Sequence, residues 1–210
     1  MYKKKFIIRD LGIESWNTTC KKMYYFNYIR SLNTLDEIWL VEHNPVFTQG
    51  KLSKGKDILS YNHKIPIFNT DRGGKITYHA PGQQIIYILI NLKKRKIQIK
   101  SLITILEQTI INILLYFNIT PDYSFNHTPG VYINNKKIAS IGIKISKGFT
   151  SHGMSFNIDM NMLPFKYINP CGFYKLKMTQ LKNFIPYIKK NIIKKLLIKE
   201  LLSLINDIQD

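Results

Sequence analysis

Two cysteines, Cys20 and Cys171, in 210 residues are too few for a disulfide framework, which excludes a small cross-linked secreted scaffold. No apolar run reaches the roughly 18 to 20 residues of a membrane span. The opening Met1-Tyr2-Lys3-Lys4-Lys5 lacks the apolar core of a signal peptide, so a cytoplasmic chain with no membrane partner is expected. The phosphate-binding pattern Gly-x-x-x-x-Gly-Lys-Ser/Thr is absent, as are internal repeats and low-complexity linkers. Acidic residues are also scarce: 13 Asp and Glu face 31 Lys and Arg, a formal charge of +18.

That charge raises a nucleic-acid-binding module as one reading. Against it, the basic residues are spread along the chain and the aromatic residues fall mostly in apolar runs. Lys, Ile and Asn also recur wherever a neutral choice exists, a compositional bias that accounts for much of the charge. An acidic partner fits the balance without being established by it. With 45% hydrophobic residues, the 210 residues can bury a substantial core, and one domain over 1–210 is expected.

Phe6-Ile7-Ile8 reads as an opening strand, followed by a helix from about Ser15 with Trp16, Cys20, Met23, Tyr24 and Asn27 on one face. Cys20 is thereby a core residue. Ile38 to Val41 reads as a buried strand running into a loop, Glu42 to Gly50, and a polar loop spans residues 51–63. Strands are expected at Ile65 to Phe68 and Gln84 to Asn91. Ser101 is placed to cap a helix reaching Asn118, and a closing helix turns Ile188, Ile192, Leu196, Leu201 and Ile205 inward.

Three stretches carry chemistry. Asp71 to Gln83 (DRGGKITYHAPGQ) has paired glycines where something must approach the backbone closely. Gly130 to Ile133 and Lys136 to Lys147 read as a hairpin turning at Asn134-Asn135. Strict alternation puts Lys137 on the face of Ala139, Ile141, Ile143 and Ile145, where desolvation lowers a lysine pKa, unless the side chain snorkels to water. Gly148 to Ile158 reads as the next strand, with His152 a buried, hydrogen-bonded residue. Last, Asn169-Pro170-Cys171-Gly172 presents a sulfur on a bent, open piece of chain.

Together DRGGKITYHAPGQ, GVYINNKKIASIGIKISKGFTSHGMSFNID and INPCG closely resemble the bacterial octanoyltransferases of lipoate biosynthesis, with weaker likeness from Glu42 to Gln180. The resemblance implies an α/β (α+β) fold like the catalytic fold of biotin and lipoate-protein ligases, a mixed β-sheet flanked by helices. It implies transfer of an octanoyl group from octanoyl-acyl carrier protein to a lysine amine of lipoyl domains. The acceptors would be 2-oxoacid dehydrogenases and glycine cleavage H-type proteins. No cofactor is implied beyond the octanoyl-phosphopantetheine carried by the substrate, no metal, and no nucleic acid. Matched residue by residue, the thioester nucleophile falls on Cys171 and its activating lysine on Lys137. Substrate contacts fall on Arg72, Gly73, Gly74, Lys75, Ile76, Thr77, Tyr78 and His79, on Ser140, Ile141 and Gly142, and on Gly153, Met154 and Ser155. Ala80 replaces the usual glycine, and Met154-Ser155 a commoner Leu-Ala pair, leaving the reactive atoms in place. Backbone N–H groups at Cys171-Gly172 or Gly73-Gly74 are candidate oxyanion donors. An ATP-dependent lipoate or biotin ligase is the alternative on the same fold.

Overall fold

The computed structural model describes residues 6–60, 64–122, 128–174 and 176–207. The expected loop over 51–63 holds one 3-10 turn, Gly55–Asp57, and its residues 61–63 lie outside the described residues.

The centre is strand β6, Gln83–Leu89, whose every residue is buried. Its alternation divides the core in two. Ile86 and Ile88 belong to a large cluster with helices at Ile99–Tyr116 and Lys190–Asp207, whereas Ile85, Tyr87 and Leu89 pack with Trp16, Cys20 and Met23. The strands β1 (Phe6–Glu14), β2 (Asp36–His43), β3 (Val46–Gln49), β4 (Ile67–Asn69) and β5 (Thr77–His79) precede β6. After it come β7 (Gly130–Ile133), β8 (Lys136–Ser146), β9 (Phe149–Asn157) and β10 (Lys177–Met178). The large sheet runs β1-β2-β6-β9-β8-β10, with β7 on β8, and a small sheet runs β4-β3-β5. The β1–β2, β8–β10 and β3–β4 pairs are parallel and the others antiparallel, so both sheets are mixed.

The helices are α1 (Trp16–Ile29), the single turn α2 (Leu92–Arg95), α3 (Ile99–Tyr116) and α4 (Lys190–Asp207). Ser15 caps α1 by accepting from the Thr18 N–H, as the Ser15 start predicts. In α3 the expected cap does not form: the helix begins two residues before Ser101, behind Gln98, and Ile99 packs against the core. Helix α3 is long and apolar enough to cross a membrane by length and composition, which no run in the sequence was expected to be. One face, with Leu102, Leu106, Ile110 and Ile113, lies in the large core cluster against α4. In α4 the buried row is Ile193, Leu197, Leu201 and Ile205, while Ile192 is 47% exposed. The apolar doublets Ile192-Ile193 and Leu196-Leu197 offer two adjacent rows at helical spacing, and packing on α3 selects the second. The segment after Pro45, expected as loop, is β3, because it pairs with β4 and β5.

Under β2 lies a buried charge triad. Asp36 accepts from Arg30 Nη2 at 2.9 Å and from Arg95 Nε at 2.5 Å, and from the Asn91 N–H at 2.8 Å. The guanidinium groups stack over Phe149 and Phe6 at 4.3 and 3.5 Å. His43 joins β1 to β6: its Nδ1 must donate to the Glu14 carbonyl at 3.0 Å, so its Nε2 accepts from the Tyr87 hydroxyl at 2.7 Å.

Removing the one anion of the triad strands two buried cations. Asp36→Ala is expected to lower the free energy of unfolding by about 3 to 5 kcal/mol in urea titrations. Burial depresses His43 to about 4, below its ordinary value of 6.5. The unfolded chain therefore binds more protons once pH drops below 6.5, and the stability carried by neutral His43 falls progressively to about pH 4. His43→Gln is expected to flatten that part of a stability-versus-pH curve measured by chemical denaturation, and an unchanged slope would count against it.

Candidate active site

Cys171 stands on a one-turn 3-10 segment, Pro170–Gly172, with a left-handed backbone, φ 56° and ψ 11°. A side chain in that region carries strain of about 1 to 3 kcal/mol, offset here by fixed hydrogen bonds. The Cys171 N–H donates to the Ile76 carbonyl at 3.2 Å and the Gly172 N–H to the Asn169 carbonyl at 2.8 Å. The sulfur faces a cavity of about 500 Å³.

Lys137 reaches the same cavity from β8. Its Nζ lies 3.3 Å from Cys171 Sγ, 2.6 Å from Thr128 Oγ1 and 2.9 Å from the Pro129 carbonyl, and the residue is 1% exposed. It does not snorkel. Nor does it share a face with Ala139 and Ile141. Between β7 and β8 the register slips, Val131 facing Ala139 and Tyr132 facing Lys137, so Ile138 is an extra residue on β8. The bulge resets the alternation and turns Lys137 to the side of Ser140 and Gly142, with the Tyr132 ring 5.2 Å from Nζ. The turn that carries the hairpin is as expected: Asn134 and Asn135 have φ of 50° and 61°.

The roof of the cavity is the segment Asp71 to Ile76. It is tied down by Gly73 N–H to the Ile143 carbonyl at 3.1 Å and by Arg72 Nη2 to the Thr48 carbonyl at 2.7 Å. At one end Asp71 accepts from His152 Nε2 at 2.8 Å and Lys144 Nζ at 2.5 Å. Burial raises the Asp71 pKa, but these donors outweigh it and hold the carboxyl well below its usual range. His152 makes its contact through strain. Regular alternation would point it with Met154 and Phe156 toward α3, but its φ of 62° swings the ring to the opposite face. At the other end His79 bonds Gln83 Oε1 at 2.7 Å and Thr48 Oγ1 at 3.1 Å, and burial lowers its pKa to about 3.

Of the sixteen predicted site residues, fifteen line this cavity together. The exception is Tyr78. In β5, Thr77 and His79 face the cavity, so alternation turns Tyr78 the other way, into a cluster with Phe47 and Phe165. Ala80, the departure from the usual glycine, is 3% exposed in the same cluster. Thr128 and Pro129, which hold Lys137, were not foreseen; they lie ahead of β7 with no pattern to single them out. Trp16, Tyr87 and Ile103 also line the cavity, and their apolar character and helical or strand spacing read equally as core. Cys20 is confirmed as a core residue, its thiol pushed up to about 11 by burial. Among the described residues no group of His, Cys, Asp and Glu could hold a metal ion.

Comparison with known proteins agrees with this architecture. The lipoyl protein ligase A/B catalytic domain matches residues 22–202. An octanoyltransferase from Buchnera aphidicola (subspecies Schizaphis graminum) is 50% identical over 203 residues, covering 95% of this chain and 93% of its own. Two solved structures share the fold at low identity. A chain of the bipartite lipoate protein ligase system of Thermoplasma acidophilum superposes with a TM-score of 0.74 at 11% identity, over 96% of this chain and 84% of its own. The biotin protein ligase of Aquifex aeolicus does so with 0.56 at 13% identity, over 98% and 71%. A mixed sheet flanked by helices, a cavity built from the predicted motifs and half-identity over nearly the full length together lead to one assignment: the chain belongs to the lipoyl protein ligase A/B catalytic domain family, on its octanoyltransferase branch.

Proposed function

We propose that residues 1–210 act as one catalytic domain in the cytoplasm, moving an octanoyl group from octanoyl-acyl carrier protein through a Cys171 thioester to a lipoyl-domain lysine. The observation that carries this reading is the 3.3 Å contact between Lys137 Nζ and Cys171 Sγ inside a cavity large enough for an acyl chain. With the thiol neutral, S–H donates to the amine, whose two N–H groups donate to Thr128 Oγ1 and the Pro129 carbonyl. Once the proton has moved, the three N–H groups of the ammonium donate to the same three atoms. No heavy atom needs to shift.

The thiolate attacks the carrier's thioester carbonyl, the carrier thiolate leaves and takes the proton back from Lys137, and octanoyl remains on sulfur. A neutral lipoyl-domain amine then attacks that carbonyl, the Cys171–acyl bond breaks, and the amine's proton passes to the departing sulfur through Lys137. Each step exchanges one acyl bond for another and consumes neither nucleotide nor metal. The N–H groups of Cys171, Gly172 and Gly73 are already engaged. Among the described residues Gly74 N–H has no acceptor, which makes it the candidate donor to the tetrahedral oxyanion. The acceptors on this reading are lipoyl domains of 2-oxoacid dehydrogenases and glycine cleavage H-type proteins, with no nucleic acid or membrane partner. The shared ligase fold supports one other reading, ATP-dependent activation of a free acid.

Incubation with octanoyl-acyl carrier protein, without ATP or Mg²⁺, is expected to add one octanoyl group to Cys171 by intact mass, and Cys171→Ser to abolish the adduct. Octanoyl on another residue, or a requirement for ATP, would sink the assignment. Lys137→Ala is expected to slow both half-reactions by about 10²- to 10⁴-fold in single-turnover measurements. Gly130 tests the positioning of that amine. Its φ is 142°, and a Cβ there would lie 2.3 Å from the Ala139 carbonyl oxygen of the paired strand, 2.5 Å from Lys137 Cε and 3.1 Å from Nζ, so the variant shifts the β7–β8 pairing together with the amine. Gly130→Ala is therefore expected to displace Nζ and cost about 10²-fold in turnover while circular dichroism shows the chain still folded, and a folded, unimpaired variant would show that Lys137 is not needed at its observed position.

A further inference from the structure

The chamber beside Cys171 has a definite length. On its side of β6 the alternating residues are Gln83, Ile85, Tyr87 and Leu89, and only Ile85 and Tyr87 line it. Gln83 is turned to His79 and Asn157, and Leu89 lies in the core with Met23. The strand registers extend these two residues into cross-strand rows. Ile85 faces Ser155, which faces Ser140; Tyr87 faces Gly153, which faces Gly142. Lys137 precedes the first row along β8, so the Tyr87 row is the far one. Two of its three members are glycines, so in this row Tyr87 is the side chain that fills the space, and beyond it the His152 ring, which also lines the cavity, packs against the Tyr87 ring.

From Lys137 to Gly142, with Ile138 bulged out, there are four regular strand steps, about 13 Å. An extended eight-carbon acyl chain on sulfur spans about 10 Å, taking C–C bonds of about 1.5 Å in zigzag. The end of such a chain meets the Tyr87 ring. That ring cannot swing aside easily: Tyr87 is 5% exposed, its hydroxyl is held by His43 at 2.7 Å, and the His152 ring packs edge-on at 6.1 Å and 74°. Unlike Met154, a flexible lining residue, it is a fixed wall.

We propose that Tyr87, pinned by His43, is the stop that sets the length of the acyl chain accepted on Cys171. This rests on the acyl-enzyme reading above. The competing path for the chain runs along the other flank of the cavity, past Ile99 and Ile103 of α3.

The test offers the full chain equimolar octanoyl- and dodecanoyl-acyl carrier protein and reads the ratio of the two Cys171 adducts by intact mass. Tyr87→Leu is expected to raise the dodecanoyl-to-octanoyl ratio by about tenfold or more. Tyr87→Phe, which keeps the ring and loses the His43 bond, is expected to raise it less. It serves as the reporter if circular dichroism shows the leucine variant unfolded. Ile85→Phe, one row nearer the sulfur, is expected to favour hexanoyl over octanoyl when that pair is offered. The proposal is overturned if the folded Tyr87 variants keep the wild-type ratio, or if Ile103→Trp changes it instead. A wild-type chain that forms no adduct on Cys171 would refute the acyl-enzyme reading itself, a result distinct from an adduct whose length preference ignores Tyr87.

Discussion

The contact on which the site depends is the approach of Lys137 Nζ to Cys171 Sγ at 3.3 Å. The two residues lie 34 positions apart, on a strand and on a turn of another segment, so the fold must bring each to the other. A bulge at Ile138 aims the lysine, and a glycine at 130 leaves room for its stem. Two oxygens, from Thr128 and Pro129, hold its end. On the other side Pro170 and a left-handed backbone bend the chain so that sulfur is presented, and the Ile76 carbonyl fixes that bend through the Cys171 N–H. On the proposed reading, a buried amine with satisfied hydrogens exchanges a proton with sulfur without reorganisation, which would be the electrostatic benefit of building the pair inside the fold.

The roof segment carries the same constraint to the rest of the chamber. Ile76, whose carbonyl sets Cys171, ends a stretch that begins at Asp71, and Asp71 is held by His152 and Lys144. His152 occupies a left-handed position in mid-strand at a cost of about 1 to 3 kcal/mol, and its ring is thereby placed on the cavity side of β9. Strained residues thus stand at both ends of one stretch. Each is over-determined by hydrogen bonds, so positioning of Cys171 and the roof draws on stability supplied elsewhere, by the large apolar cluster around β6 and α3.

Much of this was legible in the sequence, and the failures have physical causes. Alternation located β6, β8 and β9, and Asn134-Asn135 located their hairpin partner, because period and turn chemistry are local. The bulge at Ile138 is not local: it arises from pairing with β7, and it reversed the face assigned to Lys137 while leaving the lysine buried. Tyr78 was grouped with the substrate contacts because a motif is contiguous, but a strand sends alternate residues to opposite sides. In α4 two apolar rows competed, and only tertiary packing could choose between Ile192 and Ile193. Pairing Lys137 with Cys171 came from family resemblance, since no rule of spacing links residues that far apart.

The fold alone does not decide the chemistry. Solved structures at 11% and 13% identity, named as lipoate and biotin protein ligases, share the fold, and a fold by itself does not select one chemistry. What distinguishes this chain is local. A thiol on a strained turn, an amine within one hydrogen bond of it and a largely apolar cavity are the features on which the proposed transfer from an acyl group already activated as a thioester rests. Such a substrate brings its own leaving group. On the proposed reading the protein then has to supply a nucleophile, a place for one proton and a wall against which the chain is measured, roles for which Cys171, Lys137 and Tyr87 stand together along one cavity of about 500 Å³.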